Sequence, residues 1–228
     1  DGYTWRNTSR FTLLNKKSLD KSGILNLPVS SSINSSGKIR TFDFQLLPSK
    51  NKYLLLPQYA QSIKIQPPIL EINRHGDLRK RRTLTKNLEY TVYSDIPIIR
   101  NEQLESSPKV EHYIYKNYLQ LPQVSKAVRK LSKNITSNSS DYWQKVNSIL
   151  RSFRNRGYEY SLNSVHEGNP LESFLLKNKM GHCQYFAGAM VLLLRLNGIP
   201  SRLVNGFTTG DYNEWGDYYT VRYKHAHS

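Results

Sequence analysis

The spacing of apolar residues changes once along this chain, near Pro108, and that change divides it into two differently built parts. From Arg40 to about Tyr93 the pattern is extended. IRTFDFQL, KYLLLP, SIKIQ, ILEI and LEYTVY are short β-branched and aromatic runs separated by Pro, Asn and Gly. Asn73-Arg74-His75-Gly76-Asp77 has the make-up of a hairpin turn, and the Ser/Asn-rich SSSINSSGK at 30–38 reads as a surface loop. Residues 1–108 are therefore expected to form a small β-rich, antiparallel module. Beyond Pro108 the helical period takes over. In LPQVSKAVRKLSKNI, Val124, Val128, Leu131 and Ile135 make one stripe, with Pro122 suited to the first turn. A second helix is expected after Asp141, a cap with Gln144 three residues on, burying Trp143, Val146, Leu150 and Phe153 and stopping at Gly157. A third opens near Cys183 and closes at Gly198, where Pro200 forbids its continuation. Strand-like SRLVNGF and YYTVRY follow, joined by TTGDYNEWGD. Residues 109–228 thus read as an α+β unit.

Composition removes several classes of protein. At 38% hydrophobic and 11% aromatic residues, the chain can bury a core, and the signature of intrinsic disorder is missing. The longest nearly uninterrupted apolar run, Phe186 to Leu194, falls well short of the ~20 residues that span a bilayer. The first ten residues, DGYTWRNTSR, lack both an apolar stretch and an initiating Met, so the chain is expected to be a fragment or a processed product. With a single cysteine, no intramolecular disulfide can form.

That cysteine, Cys183, directly follows a Gly-His turn and opens an apolar helix. Free N–H groups and the positive end of the helix dipole favour an anion there, which for a thiol means the thiolate. A small core cysteine packed under the helix fits the same spacing. Ala187, Gly188 and Ala189, one turn later, suit close helix-to-sheet packing under either reading. His225 and His227 stand 42 and 44 residues downstream. On a continuous strand both imidazoles would face alike.

GHCQYFAGAMVLLLRLNGIPSRLVNGFTTGDYNEWGDYYTVRYKHAHS resembles the core of the bacterial transglutaminase-like superfamily, and specifically its TgpA-type membrane proteins with a soluble transglutaminase-like domain. The similarity is strongest over residues 171–228 and extends more loosely back to YLQLP at 118–122. A Gly-x-Cys before a small-residue helix, a Gly-Ile-Pro-x-Arg exit and a downstream VR…AH segment carry it together. The fold this implies is a papain-like α+β core of helices packed on an antiparallel sheet, preceded by the β-rich module. The resemblance also implies a Cys-His-Asp triad. Cys183 matches the nucleophile and His227 the base, with His225, in a slot often filled by Asp, as the alternative base. The family's Asp lies on the strand after the His, beyond Ser228. The fragment as given is therefore expected to be weakly active or inactive.

The implied chemistry is attack of a Cys183 thiolate on a Gln carboxamide or a peptide amide, giving a thioester that an amine or water resolves. The resemblance implies no cofactor, and no residues stand at metal-ligand spacing, so no metal is expected. The expected partner is a protein or peptide substrate, possibly of the cell envelope. Tyr212, Trp215, Tyr218 and Tyr219 are candidates to wall the acyl-donor groove, with sheet-face packing as the alternative. The 33 Lys and Arg against 17 Asp and Glu give a net charge of +16, densest at Arg79-Lys80-Arg81-Arg82 with Arg74 and Lys86. No nucleic-acid-binding motif accompanies that run. An anionic membrane surface suits it better, since the resemblance implies a loop between transmembrane segments on the periplasmic or outer face of the inner membrane. A catalytically degenerate domain that binds peptide, glycan or membrane is the competing reading.

Overall fold

The computed structural model describes residues 11–14, 19–27, 38–73, 75–96 and 112–228. The chain divides into two compact units, one within residues 6–99 and the other from residue 100 onward. Residues 30–37 of the loop expected over 30–38, and the expected transition at Pro108, lie outside the described residues.

The first unit is built from β1 (Phe11–Leu14), β2 (Leu25–Asn26), β3 (Ile39–Leu46), β4 (Ala60–Ile65), β5 (Leu70–Asn73), β6 (Leu78–Arg79) and β7 (Leu88–Asp95). They form two antiparallel sheets, ordered β2-β4-β7-β3 and β1-β5-β6. Alternation along β7 buries Leu88, Tyr90 and Val92, and these meet Ile63 and Ile65 of β4 in one core with Leu25, Leu70, Ile72 and Leu78. The hairpin at Asn73 stands as expected. Its Oδ1 accepts the amides of His75 and Asp77, both at 2.9 Å, and Gly76 takes the left-handed conformation (φ 85°) that a side chain would disfavour. KYLLLP, by contrast, is no strand. Tyr53 bridges Arg79, but both the N–H and the C=O of Leu55 are occupied by the Tyr90 hydroxyl, at 3.1 and 2.9 Å, so no ladder runs through that residue. Burial pushes the Tyr90 hydroxyl pKa well above its ordinary value.

The second unit opens with α1 (His112–Tyr118), α2 (Lys126–Thr136) and α3 (Tyr142–Asn155). Next come β8 (Glu159–Tyr160), α4 (Pro170–Ser173) running into a π turn over Phe174–Asn178, β9 (Met180–Gly181) and α5 (Cys183–Leu196). The chain then passes through β10 (Gly206–Phe207), β11 (Asp211–Asn213), β12 (Tyr218–Thr220), a 3-10 turn at Tyr223–His225 and β13 (Ala226–His227). The α+β class holds.

Three expectations are corrected here. Helix α2 starts later than its stripe suggested, because Ser125 caps it by accepting the Val128 amide at 3.3 Å, leaving Pro122 and Val124 outside. Helix α3 is capped by Asp141 as expected, with Oδ1 2.7 Å from the Gln144 amide, but it buries Ile149, Ser152 and Phe153 while Trp143 and Leu150 face solvent. Its apolar residues fit two overlapping stripes. Ser152 is tolerated on the buried one because its hydroxyl donates back to the Ile149 carbonyl at 2.7 Å. Finally, α4 was absent from the sequence expectations although Asn169-Pro170 announces it, with Asn169 Oδ1 accepting the Glu172 amide at 3.1 Å.

Helix α5 is the centre of this unit. Ala189, Leu192 and Leu193 are fully buried among Val128, Ile149, Phe153, Phe174 and Leu175. Gly188 faces Leu171 of α4 and Ala189 lies among the helical core residues, so these two small residues serve helix-to-helix packing rather than the expected helix-to-sheet packing. The helix ends with Gly198 in the left-handed conformation (φ 76°), the Gly198 and Ile199 amides returning to the carbonyls of Arg195 and Leu194. Beyond the core, Asn197 donates to Ser132 Oγ at 2.8 Å and accepts from Thr136 Oγ1 at 2.7 Å, joining α5 to α2.

Arg195 is buried, with 7% of its surface exposed. Its Nη1 donates to the Gln120 carbonyl at 2.7 Å, while Nε and Nη2 donate to the Ser201 carbonyl at 2.9 and 2.5 Å. Burial lowers its pKa, yet the planar fork serves two chain segments at once. Replacing Arg195 with Met should strand both carbonyls and lower unfolding stability by about 2–4 kcal/mol, with Lys recovering only part. Urea unfolding of the three proteins tests this; equal midpoints would refute it.

Candidate active site

Cys183 is the first residue of α5 and is partly exposed. His182 precedes it in extended conformation (φ −85°, ψ −178°), and its side chain does not cap the helix. The N-terminal amides of α5 therefore receive no side-chain cap from it, beside the thiol.

The approach to the cysteine is closely fitted. Strand β9 pairs in parallel with β8, placing Gly181 opposite Tyr160. Lys179 adopts a left-handed conformation (φ 57°), and its carbonyl accepts the Glu159 amide at 2.9 Å. A Cβ on Gly181 would lie 2.7 Å from the Cβ of Tyr185, so glycine is required for the chain to pass under that side chain. The Tyr185 ring lies between two imidazoles, with centroids 4.8 Å from His182 and 4.4 Å from His166. Both ring nitrogens of His166 are buried with no hydrogen-bond partner among the described residues, and the ring also packs edge-on to Phe174. Sequence reasoning took Gly181 only as part of the Gly-x-Cys motif and passed over Tyr185 and His166 as parts of this entrance. The Gly-x-Cys-x-Tyr spacing was the signal available for Gly181 and Tyr185, whereas His166 gave none.

The two histidines proposed as bases occupy unlike environments. They do not share a strand, because the 3-10 turn at Tyr223–His225 interrupts the extended run before β13. His225 is tucked in, its side chain only 12% exposed. Its Nδ1 accepts the Arg222 amide at 3.0 Å, and its Nε2 lies 3.5 Å from Asp211 Oδ1. His227 sits on β13, where it pairs with Gly206 of β10, and is exposed. Cys183 and His227 are not hydrogen-bonded to each other in this structure.

The aromatic residues Tyr212, Trp215, Tyr218 and Tyr219 belong to a hairpin of β11 and β12, paired from Asp211–Thr220 to Asn213–Tyr218. The expected TTGDYNEWGD connection thus contains a strand of its own. Tyr212 and Tyr219 contact across it with centroids 4.9 Å apart. The Tyr212 hydroxyl donates to Asp217 at 2.8 Å, a bond that raises its pKa. Trp215, at the tip, is fully exposed.

Residues 129–228 match the family model of the transglutaminase-like superfamily. The chain is 29% identical over 195 residues to the Bacillus subtilis protein YebA, covering 77% of this chain and 26% of YebA. It is 26% identical over 189 residues to a protein-glutamine gamma-glutamyltransferase of Pseudomonas aeruginosa, covering 82% of this chain and 27% of that protein. It thus spans about a quarter of the length of both relatives. Crystal structures of the periplasmic domain of TgpA from P. aeruginosa superpose with TM-scores of 0.72 and 0.73 at 22% identity. These cover 97% and 96% of this chain and 84% and 75% of the respective TgpA chains. The transglutaminase-like fold seen in TgpA is therefore the fold of this chain.

Two glycine substitutions should separate the entrance from the helix. Gly181→Ala forces Tyr185 aside and should cost about 1–3 kcal/mol. Gly188→Ala places its Cβ at an ordinary 3.6 Å from Leu171 and should leave stability unchanged or raised by up to about 1 kcal/mol. Thermal unfolding of both variants is the check, and similar losses would contradict this geometry.

Proposed function

We propose that this transglutaminase-like domain catalyses cysteine-dependent acyl transfer or hydrolysis at an amide, with Cys183 as nucleophile and His227 as base. The observation that carries the reading is the place of Cys183, first residue of a 14-residue helix and inside the segment matched by the family model. His227 takes the Sγ proton, and the resulting thiolate attacks the carbonyl carbon of a Gln side chain or peptide bond, forming a C–S bond as the C=O π pair moves onto oxygen. As the tetrahedral adduct collapses, the C–N bond breaks and His227 gives its proton to the departing nitrogen. The Cys183 amide, in the first turn of α5, is suited to donate to the developing oxyanion. An incoming amine, deprotonated by His227, then releases the acyl group as a new amide; water releases it as an acid.

His227 is favoured over His225 because both nitrogens of His225 already face partners, the Arg222 amide and Asp211. By the family pattern, a carboxylate on the strand after His227 would hold its tautomer. No cofactor enters this reading. Its setting is a cell-envelope domain on the periplasmic or outer face of the inner membrane, acting on protein or peptide substrates beside the transmembrane segments of a longer protein.

Incorporation of a labelled primary amine into a Gln-containing protein, or release of ammonia from it, tests the chemistry in the full-length parent. Cys183→Ala should abolish both, His227→Ala should lower kcat by on the order of 10³-fold, and His225→Ala should have a far smaller effect. Full activity of Cys183→Ala would refute the reading, and inactivity of the parent itself would favour a degenerate binding domain.

The proposed membrane setting has its own test. Around the basic run, Arg79 is 2.7 Å from Glu71 and stacks 3.6 Å over the Phe11 ring, and Arg81 is 3.6 Å from the same carboxylate. Arg82 and Lys86 are exposed. The chain should bind anionic vesicles at low salt and release them as salt rises, with Arg82→Glu and Lys86→Glu together weakening binding. Equal binding to neutral vesicles would rule out this electrostatic contact.

A further inference from the structure

Strand β13 pairs with Gly206–Phe207 of β10, and just past it Ser228 Oγ donates to Asn205 Oδ1 at 2.7 Å. The turn that precedes it adds further bonds. In the turn from Arg222 to His225, the His225 amide donates to the Arg222 carbonyl at 2.9 Å, and the Arg222 amide donates to His225 Nδ1 at 3.0 Å. The His225 carbonyl accepts the Thr208 amide at 2.9 Å, next to β10. Because Nδ1 is an acceptor, the neutral imidazole carries its proton on Nε2, on the side of Asp211.

Asp211, the first residue of β11, gathers this turn from outside. One of its oxygens accepts from Arg222 Nη1 and lies 3.1 Å from Lys224 Nζ, while the other faces His225 Nε2 at 3.5 Å. The hydrogen bond from Lys224, followed by the charges of Lys224, His225 and Arg222, holds the Asp211 carboxyl below the usual carboxylate range. A single exposed pair of this kind contributes little. Here three side chains from four consecutive residues converge on one carboxylate, and only the residue Ala226 separates their turn from His227.

We propose that Asp211 is a positioning residue: by locking the Arg222–His225 turn, with His225 as its wedge, it sets where β13 presents His227. The catalytic consequence rests on the reading of His227 as base. A displacement of β13 would misplace that imidazole without disturbing the helical core that positions Cys183, so the loss should fall on kcat more than on KM.

The test compares the full-length parent protein with its Asp211→Ala and Asp211→Glu variants by amide hydrogen exchange, amine incorporation and thermal unfolding. Asp211→Ala should speed exchange of the Gly206–Phe207 and Ala226–His227 amides about tenfold relative to α5, and lower kcat about tenfold with little change in KM. Its unfolding midpoint should move by only a few degrees, and Asp211→Glu should restore most of kcat. Unchanged exchange in β10 and β13, or an acceleration spread equally over α5, would overturn the proposal. A full-length wild-type protein that exchanges as expected but lacks Cys183-dependent amine incorporation would instead refute the catalytic reading while leaving the hold of Asp211 on β13 established.

Discussion

The buried guanidinium of Arg195 ties the end of α5 to segments that would otherwise be independent loops. It binds the carbonyl of Gln120, before α2, and the carbonyl of Ser201, just after the helix. A helix of this length rises roughly 20 Å at about 1.5 Å per residue, so the anchor at one end and Cys183 at the other are a rigid body apart. What is set at Arg195 is carried to the thiol by the helix itself. The Asn197 bridge to Ser132 and Thr136 restrains the same end, on the side of α2.

The two ends of α5 are organised by different physics. At Arg195 and Asn197, buried polar groups are matched by donors and acceptors of fixed geometry, which specifies orientation. At Cys183 the fit is steric and aromatic, Gly181 lying under Tyr185 and the Tyr185 ring between His182 and His166. The proposed base lies in a third regime. His227 pairs with Gly206 of β10 and follows an exposed charge cluster around Asp211, whose interactions are individually weak and sensitive to salt. In the proposed chemistry, a firmly seated nucleophile meets a base whose support is local.

The fold was legible from the sequence wherever a local rule coincided with burial. The alternation in LEYTVY, the Asn73 turn, the Asp141 cap and the Gly198 stop all follow from backbone chemistry within a few residues, and all are present. Reading failed where a tertiary partner changed the local preference. KYLLLP has strand composition, but Leu55 gives its backbone to the Tyr90 hydroxyl from across the sheet. Trp143 and Leu150 look like a buried stripe, but the neighbouring helices cover Ile149 and Phe153 instead. YYTVRYKHAH alternates like one strand, but Asp211 and the Arg222 amide draw His225 into a turn.

Sequence alone was enough to determine that an apolar helix begins at the chain's single thiol, and that the motifs around it resemble those of the transglutaminase-like superfamily. Those features depend on residue spacing and on capping chemistry, which act over a few positions and are written in order along the chain. Only the tertiary structure decided that Arg195 is a buried clamp, that Gly181 is required by Tyr185, and that His225 and His227 have different surroundings. Each of those depends on contacts between residues far apart in sequence or on the close approach of side chains, and no local pattern encodes such distances.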